Sequence, residues 1–213
     1  MILIMVPIKE NNHNFLNKLL LVNSIKKTKF KLICKLADLH SINLQKVKGI
    51  IITGSSLSLV ENNEIDETYQ KIMIPLILLN VPVLGICYGY EILNLLLGGT
   101  IEKMKHGEDI TTNIFINKNS KIFKGYKKLK LEVKLHHYDQ INKISKFLNL
   151  TSNDSKKNIM SFENEKNNIY GVQFHCEALE STHFIIDNFL DICKNNSLYS
   201  SCERNSRASS EIF

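Results

Sequence analysis

The stretch Val81-Pro82-Val83-Leu84-Gly85-Ile86-Cys87-Tyr88-Gly89-Tyr90-Glu91 constrains this chain more than any other. Val81 to Ile86 is short and almost wholly apolar, the pattern of a strand buried on both faces. From Tyr88 onward, Ile92, Leu93, Leu95, Leu96 and Leu97 fit a buried helix that Gly98-Gly99 ends. A cysteine therefore stands at a strand-to-helix turn with Gly85 and Gly89 beside it. That is the layout of a nucleophile elbow, with sulfur in place of a hydroxyl. The glycines permit a tight turn and the helix aims N–H groups at the site, and both features favour a thiolate. The plain alternative is a small buried residue, a frequent role of free cysteine.

Similar strands recur along the first half of the chain. Ile2 to Val6 reads as a strand stopped by Pro7, Phe30 to Cys34 as a second, and Gly49 to Ile52 as a third that breaks at Thr53-Gly54-Ser55-Ser56. Helical spacing is expected over His13 to Val22 and Glu64 to Asn80, with a loop or short helix over Ser41 to Lys48. Alternating strands and helices imply a parallel sheet covered on both faces. Reactive groups in such sheets gather beyond the carboxyl ends of the strands, where both Cys87 and the Thr53-to-Ser56 loop fall.

After Gly99 the texture changes. Thr100 to Met104, Thr112 to Ile116, Leu131 to Leu135, Phe147 to Thr151 and Asn158 to Phe162 are short strand-like pieces between polar turns. Ile169 to Phe174 is a further strand ending at His175-Cys176-Glu177, and Thr182 to Lys194 closes with an amphipathic helix. The expected fold is α/β: a mostly parallel central sheet flanked by helices, with a small antiparallel extension. Residues 1–194 form one domain, and the Ser-rich tail 195–213 is expected to be disordered.

Bulk properties exclude several roles. Net charge is +6 in 213 residues, but the lysines are scattered without a long basic run, so no nucleic-acid partner is indicated. The five cysteines are odd in number and widely spaced, with no C-x-x-C, which points to reduced thiols in a cytoplasmic setting. No run is long enough to span a membrane. Met1 to Val6 is short and lacks a charged lead, and it reads as a first core strand rather than a signal peptide.

A thiol nucleophile needs a base, and the base needs an orienting partner. His175 and Glu177 stand two apart at a strand end, which puts both side chains on one side. In most proteins an exposed His-x-Glu means nothing; beside a Gly-x-Cys-x-Gly elbow in a parallel sheet it becomes specific. Gly85-Ile86-Cys87-Tyr88-Gly89, followed by Gly171-Val172-Gln173-Phe174-His175 and Glu177, resembles the triad-type (class I) glutamine amidotransferases. Cys-Tyr-Gly at the elbow is most similar to the amidotransferase domain of GMP synthase. The resemblance extends through Pro82-Val83-Leu84 and Leu97-Gly98-Gly99 to Asn188-Phe189-Leu190, covering nearly the whole chain except the tail.

The resemblance implies that Cys87 attacks the side-chain amide of glutamine to give a γ-glutamyl thioester. It makes His175 the proton carrier and Glu177 its orienter. The oxyanion would be held by backbone N–H groups of Tyr88 and of the Gly54-Ser55 loop, and the His137-Tyr138-Asp139 segment would help to bind glutamine. His106 and His136 are read as solvated loop histidines. It also implies that the ammonia feeds a separate ATP-dependent synthetase, with XMP to GMP the expected reaction. No cofactor is expected in this chain; ATP and Mg belong to that partner, since no P-loop pattern occurs.

Three departures from the family pattern stand out. Glu91 occupies a position where the family usually has glutamine, and a carboxylate there would repel the α-carboxylate of glutamine or grip its α-ammonium. Gly54-Ser55-Ser56 replaces Gly-Gly-Pro, which matters if glycine-only backbone angles are needed. His175-Cys176-Glu177 replaces His-Pro-Glu and puts a second thiol beside the base, expected as an inert neighbour on the opposite face. Two other readings remain: a γ-glutamyl peptidase or hydrolase on the same scaffold, and a catalytically silent regulatory protein.

Overall fold

The computed structural model describes residues 1–7, 14–61 and 79–196. A nine-stranded sheet organises them, in the order β2-β1-β3-β4-β9-β8-β7-β5-β6. The strands are β1 (Ile2–Met5), β2 (Phe30–Ile33), β3 (Gly49–Ile52), β4 (Val83–Ile86), β5 (Thr100–Ile116), β6 (Lys130–Lys143), β7 (Asn149–Asn153), β8 (Ile159–Asn164) and β9 (Ile169–Val172). β2, β1, β3, β4 and β9 run parallel, and β8, β7, β5 and β6 continue the sheet antiparallel. The expected parallel core with an antiparallel extension is what the structure contains.

The inner parallel strands β1, β3, β4 and β9 carry no charged residue because both faces are covered, while Lys31 is confined to the edge strand β2. Ile2 and Ile4 of β1 face one core with Ile51, Leu84 and Ile86, while Leu3 and Met5 face the other with Ile50, Ile52 and Val83. This is the period-2 alternation of a pleated strand with neither side in water. The first face is covered by α1 (Asn14–Leu21) and α2 (Asn23–Lys26), through Leu16, Leu19, Val22 and Ile25, and by α4 (184–196), through Ile185, Ile186 and Phe189. The second is covered by α3 (Tyr88–Leu96), through Tyr90, Ile92 and Leu93. Each such side chain contributes roughly 1.5–3 kcal/mol by leaving water.

Asn94 fastens α3 to the antiparallel half. Fully buried, it donates from Nδ2 to the carbonyls of Thr100 (3.2 Å) and Lys143 (3.1 Å) and accepts the Ser145 N–H at Oδ1 (2.9 Å). Three backbone groups that would otherwise be orphaned are satisfied by one amide.

Several expectations need correction. The two pieces Thr100–Met104 and Thr112–Ile116 are one strand of 17 residues, and Leu131–Leu135 lies inside the longer β6. The two form a ribbon. β5 is largely exposed, so the core-facing alternation that marks a strand is missing over most of it, whereas β6 alternates buried and open positions from Leu131 to Ile141. The strand before His175 stops at Val172, and a 3-10 turn over Leu36–Ser41 leads into the region expected as loop or short helix, which itself holds a short 3-10 helix over Leu44–Lys46. The helix expected over Glu64–Asn80 lies almost wholly outside the described residues, as does the tail from residue 197. Among the described residues no helix is long and apolar enough to cross a membrane.

Candidate active site

The site lies beyond the carboxyl ends of β3, β4 and β9. Cys87 follows β4 directly, and its N–H still continues the ladder to the Val172 carbonyl (2.8 Å). Its backbone then turns to φ 51°, ψ −107°, a conformation unfavourable for any residue with a Cβ and typical of strain kept at functional turns. The glycines act differently from the sequence expectation. Neither Gly85 nor Gly89 has a positive φ; they provide room. A Cβ on Gly85 would sit 2.5 Å from the Gly89 carbonyl oxygen, and one on Gly89 would sit 2.4 Å from that of Ile52. The strain falls on the cysteine, and the glycines let α3 press against β3 and β4.

His175 and Glu177 come together as expected. His175 Nδ1 lies 2.7 Å from Glu177 Oε1, and both side chains are almost completely buried. The His175 N–H donates to the Lys134 carbonyl of β6 (2.9 Å), which ties this residue to the ribbon. Downstream, the Thr182 hydroxyl bonds the carbonyls of Cys176 (2.9 Å) and Leu179 (2.7 Å) and fixes the turn that carries Glu177. Cys176 is fully buried in the first core, and burial, with the neighbouring Glu177 carboxyl adding to it, pushes its thiol well above the ordinary range.

Gly54 stands between Cys87 and His175. A Cβ there would lie 2.8 Å from His175 Cε1 and 3.5 Å from Cys87 Cβ, so the loop after β3 needs glycine for close approach. Ser55 and Ser56 have no positive φ, so the departure from Gly-Gly-Pro costs no left-handed backbone. Ser55 Oγ accepts the Leu57 N–H (3.1 Å) and shapes the loop locally.

Among the described residues, Cys87 Sγ makes no hydrogen bond to His175. It donates to the His136 carbonyl at 3.6 Å, and Gln173 Nε2 approaches it at 3.9 Å. Burial pushes the thiol well above its ordinary range; the carboxyl groups of Glu91 and Glu177 add to this, while the Tyr88 N–H and the Gln173 amide oppose it. The helix N-terminus therefore does not make a resting thiolate here: desolvation outweighs it.

A cavity of about 340 Å³ opens in front of the sulfur, walled by Ser55, Cys87, Tyr88 and Glu91 on one side and by His136 to Asp139 on the other. His175, Glu177 and Gly54 stand behind this wall rather than on it. Asp139 Oδ2 accepts from the Ser58 hydroxyl (2.8 Å) and the Val60 N–H (3.3 Å), so its carboxylate clasps the loop after β3. His137 Nδ1 donates to the Asp139 carbonyl (2.8 Å), and burial lowers its pKa and keeps the ring neutral. Tyr138 is 59% exposed, and its ring crosses Gly107, where a Cβ would meet it at 2.3 Å. These three residues belong to strand β6, not to a loop.

Three contributors carry no role in the sequence reading. His136, taken there as a solvated loop residue, keeps its ring half-exposed, with Nδ1 3.4 Å from Asp109, but its carbonyl holds the Cys87 thiol. Gln173, inside the motif that ends in His175, donates to Glu91 Oε1 (2.9 Å). Phe15 of α1 stacks on the His175 ring with centroids 3.5 Å apart and planes 13° from parallel. Only Gln173 had a sequence signal, its place in the motif. His106 is exposed, as expected. No group of three or more His, Cys, Asp or Glu side chains among the described residues is arranged to hold a metal ion.

Comparison with known proteins identifies the family. The family model "Glutamine amidotransferase class-I" matches residues 11–193. The chain is 34% identical over 163 residues to the glutamine-hydrolyzing GMP synthase of Brachyspira hyodysenteriae, covering 75% of this chain and 29% of that protein. It thus spans less than a third of the length of such relatives. A second kind of relative, from Pyrococcus furiosus, is named as one of the subunits of glutamine-hydrolyzing GMP synthase. It is 30% identical over 193 residues, with 89% of this chain and 98% of that one covered. Among solved structures, a glutamine amidotransferase from Thermotoga maritima superposes with a TM-score of 0.66 at 17% identity, over 94% of this chain and 85% of that one. The elbow, the His-Glu pair and the match over most of the sequence together make this chain a member of the class-I glutamine amidotransferase family.

Proposed function

We propose that this chain hydrolyses glutamine to glutamate and ammonia and passes the ammonia to a separate ATP-dependent synthetase that converts XMP to GMP. The observation that carries the chemistry is the strained Cys87 backbone, packed across Gly54 from a His175 that is held at 2.7 Å by Glu177. The Cys87 thiol turns from the His136 carbonyl toward His175 and gives up its proton, and the sulfur attacks the side-chain amide carbon. The oxyanion is met by the N–H groups of Tyr88 and Ser55. His175 then protonates the amide nitrogen, the C–N bond breaks, and ammonia leaves a γ-glutamyl thioester on Cys87. Next, His175 takes a proton from water, the hydroxide attacks the thioester carbon, and the C–S bond breaks. Glutamate departs and the thiol is restored. Glu177 keeps the imidazole oriented and stabilises its protonated form.

A separate synthetase subunit is supported by the Pyrococcus furiosus relative, which is named as one subunit of its enzyme and is matched over nearly its full length; ATP and Mg are proposed to act on that partner. The test measures ammonia release from glutamine and labelling by an electrophilic glutamine analogue, for the chain alone and with an ATP-dependent synthetase from the same source. The expected result is labelling at Cys87 and ammonia release, both lost in Cys87→Ala while the fold persists, since removing one sulfur in a packed site is a small change. The function is overturned if the chain releases no ammonia under either condition and Cys87 stays unlabelled. Faster turnover of γ-glutamyl peptides than of glutamine would move the reading to a peptidase.

A further inference from the structure

Glu91 lies one turn into α3, with only 3% of it exposed, and its N–H bonds the Cys87 carbonyl at 3.1 Å. Oε1 accepts from Gln173 Nε2 at 2.9 Å, and that same nitrogen reaches toward the Cys87 sulfur. Oε2 bonds none of the described residues, and the side chain forms part of the cavity wall. The titratable groups around it supply no counter-charge. Cys87 and Tyr90 flank it on its own segment and are neutral thiol and phenol, their pKa values raised by burial. Asp139 faces it from β6 beside the neutral His137, and Glu177 approaches the sulfur from beyond β9. Lys103 of β5, the one lysine on the cavity wall among the described residues, is paired with Glu61.

We propose that Glu91 works as a neutral carboxylic acid, its carbonyl oxygen receiving the Gln173 amide while its hydroxyl donates to an oxygen of the γ-glutamyl substrate in the cavity. A protonated carboxyl has one acceptor and one donor, the same pair an amide offers. Burial, with Asp139 adding to it, pushes the pKa of Glu91 up to about 8, despite the opposing Gln173 bond. The neutral form repels no substrate carboxylate and puts no charge beside the thiol. The ionised form does both and loses the donor. This specificity-determining role rests on the glutaminase reading of the cavity.

The test compares kcat/KM for glutamine between wild type and Glu91→Gln across pH. Glutamine keeps its donor at every pH, so the ratio of wild type to variant should fall about tenfold between about pH 7 and about pH 9. A ratio that stays flat overturns the proposal, because a merely structural role does not follow the protonation of one group. A second measurement stands apart from turnover. In Cys87→Ala the infrared carbonyl band of a neutral carboxylic acid should be present near pH 7, fade above about pH 8, and be missing from Cys87→Ala/Glu91→Gln. Absence of that band near pH 7 overturns the proposal even if the protein never hydrolyses glutamine; its presence alongside such inactivity supports the neutral acid and defeats only the glutaminase reading.

Discussion

The two walls of the cavity are built in different ways. The elbow wall is fixed by backbone: Cys87, Tyr88 and Glu91 are each at most 4% exposed, and the glycines around them face main-chain atoms at contact distance. The ribbon wall is fixed by β5–β6 strand pairing and by side chains. His136 to Asp139 alternate between half-buried and buried, or stand open in the case of Tyr138, and the β5–β6 register shifts between Lys103 and Glu108. What holds that wall in place is the Asp139 clasp on Ser58 and Val60, the His137 bond to the Asp139 carbonyl and the Lys103–Glu61 ion pair. On the proposed reading, the reacting atom sits on the wall fixed by main-chain packing, whereas the substrate faces the wall that depends on individual side-chain contacts.

This contrast can be broken most severely at Gly85. A methyl there meets the Gly89 carbonyl and the Tyr90 nitrogen at 2.5–2.6 Å, both main chain and neither able to yield without displacing α3. Gly85→Ala should therefore destabilise the protein by about 3 kcal/mol or more, read from denaturant unfolding, with activity lost alongside. The ribbon wall should respond more gently and in another quantity. Asp139→Ala removes the clasp but leaves the elbow intact. Its expected signature is a rise in KM of about tenfold with kcat little changed, and a stability loss of about 1–3 kcal/mol. If Asp139→Ala instead lowered kcat and left KM alone, the division between a rigid chemical wall and an adjustable binding wall would be wrong.

The same contrast explains what the sequence made legible. Strands buried on both faces announce themselves as unbroken apolar runs, so β1, β3, β4 and the elbow after β4 are readable, with β1 ending one residue earlier and β4 starting two residues later than the apolar runs do. The ribbon carries no such pattern. In Thr100–Ile116 the middle reads Lys-His-Gly-Glu-Asp, and it is held by pairing with β6 rather than by burial, so one strand looks like two. His175 and Glu177 were legible because they are two residues apart in one motif. Phe15 on His175 and the His136 carbonyl on Cys87 join segments 160 and 49 residues apart, as the residue numbers give, and only the folded sheet brings such pairs together. Glu91 was visible as an oddity, but its protonation depends on burial and on Gln173, which no local pattern encodes.

The buried Glu91 also bears on how the chain folds. Unfolded, it loses its proton near the ordinary 4.5; folded, it keeps the proton up to about 8. Between those values the native state binds more protons than the unfolded state, so stability falls as pH rises, by about 1.4 kcal/mol per pH unit for this group, and levels off above about pH 8. Glu91→Gln removes that decline, and near pH 7 it should be the more stable protein by about 3–4 kcal/mol. Closing the elbow over Glu91 is therefore a proton-uptake reaction. The calorimetric enthalpy of unfolding near pH 7 should vary with the ionisation heat of the buffer, by close to one proton more for wild type than for the variant.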